Sequence, residues 1–266
     1  RARFDEEHNL MLSEVLADAG IKVLFGVSGL KVHSKLCVIT RYINGETRNY
    51  AHIGTGNFNE KTAKIYTDFS LFTANQDICN EVDSVFNFIE QSYRQFRFDH
   101  LLVSPLNSRN RLLELIKAET KNASNGKAAS IIIKVNNLVD KQMVDALYEA
   151  GQSGVVIKII VRGMCELVPG VKGISDDIYI ISIVDRYLEH PRCFVFHNGG
   201  KKLVYIGSAD MMGRNLDNRV EVICPLYDDL AKKRVLDILD LQLKDRMKAR
   251  IIDEEQSNAY VPRGNR

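Results

Sequence analysis

Val32-His33-Ser34-Lys35-Leu36-Cys37-Val38-Ile39-Thr40, turned by Asn44-Gly45 into residues 48–53 and closed by Gly54-Thr55-Gly56-Asn57, is the stretch that decides how this chain folds. Apolar residues on both sides of an Asn-Gly pair predict an antiparallel hairpin. The same parts recur about one domain later: His190-Pro191-Arg192, an apolar run over 193–196, a turn at Asn198-Gly199-Gly200, a partner strand over 203–206, and Gly207-Ser208-Ala209-Asp210. An amphipathic helix and then a strand precede each copy. The first helix covers 5–19, with Leu10, Met11, Val15, Leu16 and Ala19 on one face, Gly20 as its stop and a strand over 21–25. The second covers 140–151, followed by a buried strand over 155–161. Helix and buried strand alternate in both halves, which predicts an α/β fold with helices on the faces of a sheet and two related halves sharing one site. Helices over 77–98 and 107–122, parted by Asp99-His100 and Ser104-Pro105, put the domain boundary between 1–100 and 101–266. A closing helix over 228–250 leads into a polar tail expected to be poorly ordered.

Composition narrows the function. With 45% hydrophobic and 26% charged residues in 266, the chain has ample material for one large or two ordinary cores. Its 36 basic and 34 acidic side chains leave a net charge of +2, which argues against broad nucleic-acid or membrane binding, so any phosphate site must be local. Five cysteines, odd in number and without a CxxC pair, fit reduced thiols in a cytosolic chain rather than a metal site. No apolar run approaches the roughly twenty residues of a transmembrane helix. The opening Arg-Ala-Arg, without methionine, reads as the start of a fragment.

His33 and His190 stand apart from the other histidines because each carries a cation two residues on, Lys35 and Arg192, on the same side of an extended strand. His8, His52, His100 and His197 lack that company and read as ordinary core or surface residues. A phosphoryl group in transfer spreads negative charge over three oxygens, so it calls for fixed cations, N–H donors and a divalent metal around an in-line nucleophile. Paired imidazoles with flanking cations suit passage of that group to and from histidine. Lys35 and the amides of Gly54-Thr55-Gly56-Asn57 are candidate donors, and the glycines also suit a turn that needs positive φ. Arg162 ends the strand over 155–161 at the carboxyl edge where open α/β sheets take ligands. Arg186, Arg192, Arg214 and Arg219 crowd the region after it, and forked guanidinium groups match phosphate oxygens.

Seven strings together resemble the C-terminal catalytic region of the polyphosphate kinase family: Ala2-Arg3-Phe4-Asp5-Glu6-Glu7, Val32-His33-Ser34-Lys35-Leu36, His52-Ile53-Gly54-Thr55-Gly56-Asn57-Phe58-Asn59, Tyr66-Thr67-Asp68, Asn136-Asn137-Leu138-Val139-Asp140, Val161-Arg162-Gly163-Met164-Cys165 and Ser182 through His190. The resemblance spans almost the whole chain and implies two phospholipase D-like α/β domains with a pseudo-twofold repeat and the active site between them. It implies reversible transfer of the ATP γ-phosphate to inorganic polyphosphate through a phosphohistidine, with Mg2+ as cofactor, ATP or ADP and polyphosphate as partners, and a cytoplasmic homo-oligomer open to peripheral membrane association. His33 matches the autophosphorylated histidine, and His190 the second histidine at the nucleotide phosphates. Tyr66 and Arg162 match nucleotide-binding positions, and Arg3 an arginine tied to the magnesium site through phosphate. Ser34 stands where alanine is commoner.

Two other classes compete. A phospholipase D-like phosphodiesterase or nuclease would carry H-x-K-x4-D, but Thr40 and His197 occupy the aspartate positions. A non-catalytic polyanion-binding module would bind in a strongly salt-dependent way, indifferent to His33.

Overall fold

Residues 6–263 are described by a computed structural model of the chain. The first half runs α1 (Glu6–Asp18), β1 (Lys31–Val32), β2 (Lys35–Ile43), β3 (Glu46–Gly54), α2 (Glu60–Ala63), β4 (Tyr66–Thr67), β5 (Ser70–Thr73) and α3 (Gln76–Glu90). The second runs β6 (Leu102–Ser104), α4 (Ser108–Ser124), β7 (Ser130–Val135), α5 (Lys141–Gln152), β8 (Val156–Val161), β9 (Ile178–Ser182), β10 (Leu188–Glu189), β11 (Arg192–Phe196), β12 (Leu203–Gly207), α6 (Gly213–Asp217), β13 (Arg219–Pro225), α7 (Asp229–Leu243) and β14 (Arg250–Ile252).

A nine-stranded sheet forms the middle layer, in the order β1-β13-β12-β11-β7-β8-β9-β14, with β6 also on β13. Its central strands are buried on both faces, which is why they read as nearly continuous apolar runs. On one face Ile131, Ile133, Phe194 and Phe196 meet Leu112 and Ile116 of α4 and Met143 and Leu147 of α5. On the other, Cys193, Val195 and Ile206 meet Val235 and Leu239 of α7. The result is the expected α/β fold, helices on both sides of a mixed sheet. Asp140 and Asp228 start α5 and α7 by accepting the amides of Met143 and Ala231.

The first half contributes a smaller antiparallel sheet, β2-β3-β5. Asn44 and Gly45, both at positive φ, make its hairpin turn. Ile78, Val82 and Val85 of α3 share one core with Ala51 and Ile53 of β3, Val220 and Val222 of β13 and Val103 of β6. β1 pairs in parallel with β13. The two halves are therefore joined by common hydrophobic packing and by a strand of one in the sheet of the other.

Register makes the repeat explicit. Lys35 lies opposite Gly54, and Gly54 opposite Ser70. Arg192 lies opposite Gly207, and Gly207 opposite Ile223. Aligning the two ladders equates Lys35 with Arg192, Gly54 with Gly207 and, two residues before the third strand's partner, Asp68 with Glu221.

Four local expectations need correction. Residues 21–25 form no strand: Ile21, Leu24 and Phe25 are exposed and find no ladder partner, and Leu10, Met11 and Val15 of α1 are exposed too. α3 stops at Glu90 rather than 98, because the chain turns back so that Phe96 stacks edge-on against Phe88 and Phe98 returns to the core. Glu81 holds that return by accepting the amides of Asp99, His100 and Leu101. α7 stops at Leu243, and Arg250 instead opens β14, which adds to the edge of β9. The following tail is ordered: Ile251 and Val261 donate to the carbonyls of Ala259 and Ala249, and the Arg250 guanidinium lies 3.9 Å from the Tyr260 ring centroid. Of the cysteines, Cys79, Cys193 and Cys224 are buried, Cys165 is half-buried and Cys37 is exposed, all as free thiols. Among the described residues no helix is long and apolar enough to cross a membrane.

Candidate active site

The two sheets place His33 and His190 at equivalent ends of their hairpins, and each imidazole is held by a carboxylate from the other half. Glu221 of β13 reaches His33 Nδ1 with both oxygens at 2.9 Å. Asp68, between β4 and β5, reaches His190 Nδ1 at 2.8 Å and 3.1 Å. An ionised carboxylate only accepts, so each Nδ1 carries the proton and each neutral ring presents its Nε2 lone pair. The acids are held in turn by equivalent hydroxyls. Thr55 Oγ1 donates to Asp68 at 2.6 Å, and Ser208 Oγ donates to Glu221, which also takes the Asn215 amide at 2.6 Å.

The two rings differ in what meets Nε2. Arg192 Nη1 donates to His190 Nε2 at 3.0 Å, while Arg192 Nε is held at 3.1 Å by Asp210. Among the described residues no hydrogen bond reaches Nε2 of His33, whose side chain is 20% exposed against 9% for His190. His33 is thus the ring open to attack an electrophile. The main chain at His33 is fixed by the amides of His33 and Ser34, both donating to the Val220 carbonyl at 2.9 Å.

Burial lowers the pKa of both histidines, against the opposing pull of Glu221 on His33 and Asp68 on His190, so both favour the neutral form. Burial also lowers Lys35 to about 8, with Glu221 pulling it up and Arg192 down. Lys35 donates to the His33 carbonyl. Lys35 and Arg192 lie close enough to act on both rings, so the two clusters are neighbours in space.

Arg162 and Tyr66 adjoin these clusters. Arg162 Nε donates to Asn136 Oδ1 at 2.6 Å and to the Glu189 carbonyl at 2.8 Å. The Tyr66 ring lies 5.0 Å from the His190 ring, because β4 pairs with β10 in parallel immediately before that histidine. Asn136 and Asn137 bond Asp210 through an amide at 2.8 Å and a side chain at 3.1 Å. Burial raises the Asp210 carboxyl, but Arg192 and these donors outweigh it and hold the pKa below the usual range.

Some sequence expectations are redirected. The amides of Thr55 and Ser208 donate to Phe69 and Val222 carbonyls of the sheet, so they are not free for a ligand. Gly54 and Gly56 do not adopt positive φ; a Cβ at Gly56 would lie 2.1 Å from Asp68 Oδ2, so this glycine is there for close approach. Arg186 and Arg214 are exposed, and Arg186 lies 5.4 Å from the Tyr187 ring centroid. Arg219 approaches Glu221 at 4.0 Å. Arg3 lies outside the described residues. The sequence reading missed Asp68, Glu221, Asp210 and Asn136 as partners of the predicted residues. Equal spacing could have found the first two: hydroxyl and acid are 13 residues apart in both Thr55–Asp68 and Ser208–Glu221.

Residues 1–95 match the family model described as polyphosphate kinase C-terminal domain 1, and residues 101–266 the model of C-terminal domain 2. A polyphosphate kinase of Vibrio cholerae is 56% identical over 266 residues, 100% of this chain and 38% of that protein. One from Escherichia coli K12 is 58% identical over the same span, 39% of its length. The crystal structure of polyphosphate kinase from Porphyromonas gingivalis matches with a TM-score of 0.92 at 42% identity, over 100% of this chain and 41% of that one. The chain thus spans about two fifths of the length of these relatives.

Proposed function

This chain belongs to the polyphosphate kinase family, and from that premise we propose that it forms a phosphotransfer site in which His33 carries a phosphoryl group between ATP and inorganic polyphosphate. One observation carries the reading: two imidazoles in neighbouring clusters are each fixed at Nδ1 by an acid from the other half, and while Arg192 meets Nε2 of His190, no hydrogen bond among the described residues reaches Nε2 of His33.

The neutral His33 Nε2 attacks the γ-phosphorus as the bond to the bridging oxygen breaks, and ADP departs with that electron pair. Glu221 accepts from the Nδ1 proton throughout and stabilises the positive charge that the ring acquires. The terminal oxygen of polyphosphate then attacks the same phosphorus, the P–N bond breaks, and His33 recovers its lone pair. Lys35 and Arg162 offset charge on the transferring oxygens. His190, ordered by Asp68, accepts from Arg192 and so orients that guanidinium toward the phosphate oxygens. Tyr66, whose ring packs against His190, is proposed to meet the nucleotide.

Among the described residues no group of three or more His, Cys, Asp or Glu side chains could hold a metal ion. Asp68, Glu221 and Asp210 are all committed to His190, His33 and Arg192. Magnesium at phosphate sites takes few protein ligands beside waters and phosphate oxygens, so the ion is proposed to travel with the nucleotide as part of the substrate.

The reading is tested by incubating the intact protein with γ-labelled ATP. It expects acid-labile, alkali-stable label on the peptide containing His33, abolished in His33→Ala. Label elsewhere, or none, overturns it.

A further inference from the structure

Lys134 interrupts the apolar run Ile131-Ile132-Ile133 of β7 and is only 2% exposed. A buried ammonium is unfavourable unless its donors are met. Here they are met by Glu189 Oε2 at 2.5 Å and Gln242 Oε1 at 2.9 Å. Gln242 closes the triangle, its Nε2 donating to the same Glu189 oxygen at 2.6 Å. It lies on α7 in helical step with the buried Val235 and Leu239, so the packing that seats the helix also aims the amide.

What this cluster holds is the two-residue strand β10. On its other side, β10 meets β4 of the first half, through the Leu188 amide on the Ile65 carbonyl at 2.9 Å and Thr67 Oγ1 on the Leu188 carbonyl at 3.1 Å. The Glu189 carbonyl accepts from Arg162, and His190 is the next residue. So short a strand has little ladder of its own to fix it, yet it sets the positions of both a phosphate-facing arginine and the second histidine.

We propose that Lys134, Glu189 and Gln242 are positioning residues: a buried polar clamp that fixes β10, and through it Arg162 and His190, for phosphoryl transfer. This rests on the phosphotransfer reading above. The clamp acts through β10 on groups that meet the transferring phosphoryl, so its loss should lower kcat by more than it raises the KM for ATP.

The test uses the intact protein with all three residues made apolar, Lys134→Met, Glu189→Leu and Gln242→Leu. Replacing a buried polar cluster as a unit leaves no stranded charge, so the fold should survive. The expected result is a melting temperature near that of the wild type with kcat down roughly tenfold or more, given the sensitivity of transfer to placement. A folded triple variant with wild-type kcat overturns the proposal. If that variant does not fold, Gln242→Leu alone decides, since it keeps the ion pair: kcat reduced several-fold, by more than KM rises, supports the clamp, and unchanged kcat or a change in KM alone overturns it. A wild-type protein that forms no phosphohistidine while binding polyphosphate sinks the phosphotransfer reading itself, and the clamp's role with it.

Discussion

Glu221 embraces Nδ1 of His33 with both carboxylate oxygens at 2.9 Å, from a strand that belongs to the opposite half of the chain. This fixes ring orientation, tautomer and nucleophilic nitrogen together. Glu221→Gln keeps the shape but offers one acceptor oxygen where His33, Ser208 and Asn215 all donate. Formation of phosphohistidine, followed by rapid quench, should slow by up to about ten-thousandfold, the order seen when the carboxylate setting a catalytic imidazole's tautomer is neutralised. A wild-type rate in this variant would remove Glu221 from the site.

On the other imidazole, His190→Ala should lower the transfer rate by roughly tenfold or more, because Arg192 loses the acceptor that orients it. Asp68→Asn should lower it in the same direction, because His190 Nδ1 then loses its acceptor at 2.8 Å. Turnover equal to wild type in both variants would show that the second dyad takes no part.

The rate should fall at both ends of the pH range. His33 must be neutral to attack, and burial sets its pKa below 6.5, so activity is lost as pH drops through that lowered value. At the alkaline end Lys35, at about 8, sheds its charge and the rate falls again. Lys35→Arg should move this limb upward, since a guanidinium keeps its proton. Stability runs the other way for Lys35. Between about 8 and the ordinary 10.5 the unfolded chain holds the proton and the folded chain does not, so this group's contribution to stability rises with pH. An alkaline limb that stays in place in Lys35→Arg would assign it to another group.

Gly56→Ala tests close approach. Its Cβ would meet Asp68 Oδ2 at 2.1 Å, so the acid must move away from His190. Transfer should drop toward the level of Asp68→Asn, read by the same assay. Full activity would mean that the turn yields without disturbing the dyad.

The competing classes separate on two measurements. With Thr40 and His197 at the aspartate positions of H-x-K-x4-D, hydrolysis of bis-nitrophenyl phosphate should be absent. His33→Ala should keep salt-dependent polyphosphate binding through Lys35, Arg162 and Arg192 while losing transfer. Hydrolysis of the reporter would favour a phosphodiesterase, and transfer that survives His33→Ala would exclude the phosphohistidine route.

The hairpins, their turns and both histidines were legible because each rests on residues close in sequence: an Asn-Gly turn, an apolar run, a cation two places on. The doubled order of parts also pointed to two related halves. What stayed hidden depends on contacts across the fold. His33 and Glu221 are 188 residues apart and His190 and Asp68 are 122, distances over which periodicity is silent. Residues 21–25 have strand composition, but a strand also needs a neighbour, and β8, their counterpart, lies between β7 and β9. Past Leu243 the polar composition concealed a backbone path back to β9, fixed by Tyr260 on Arg250.

The exchange of acids makes the lobes interdependent. One repeat folded by itself would own a histidine with nothing to steer it and an acid with nothing to steer, so neither dyad outlives a separation of the two.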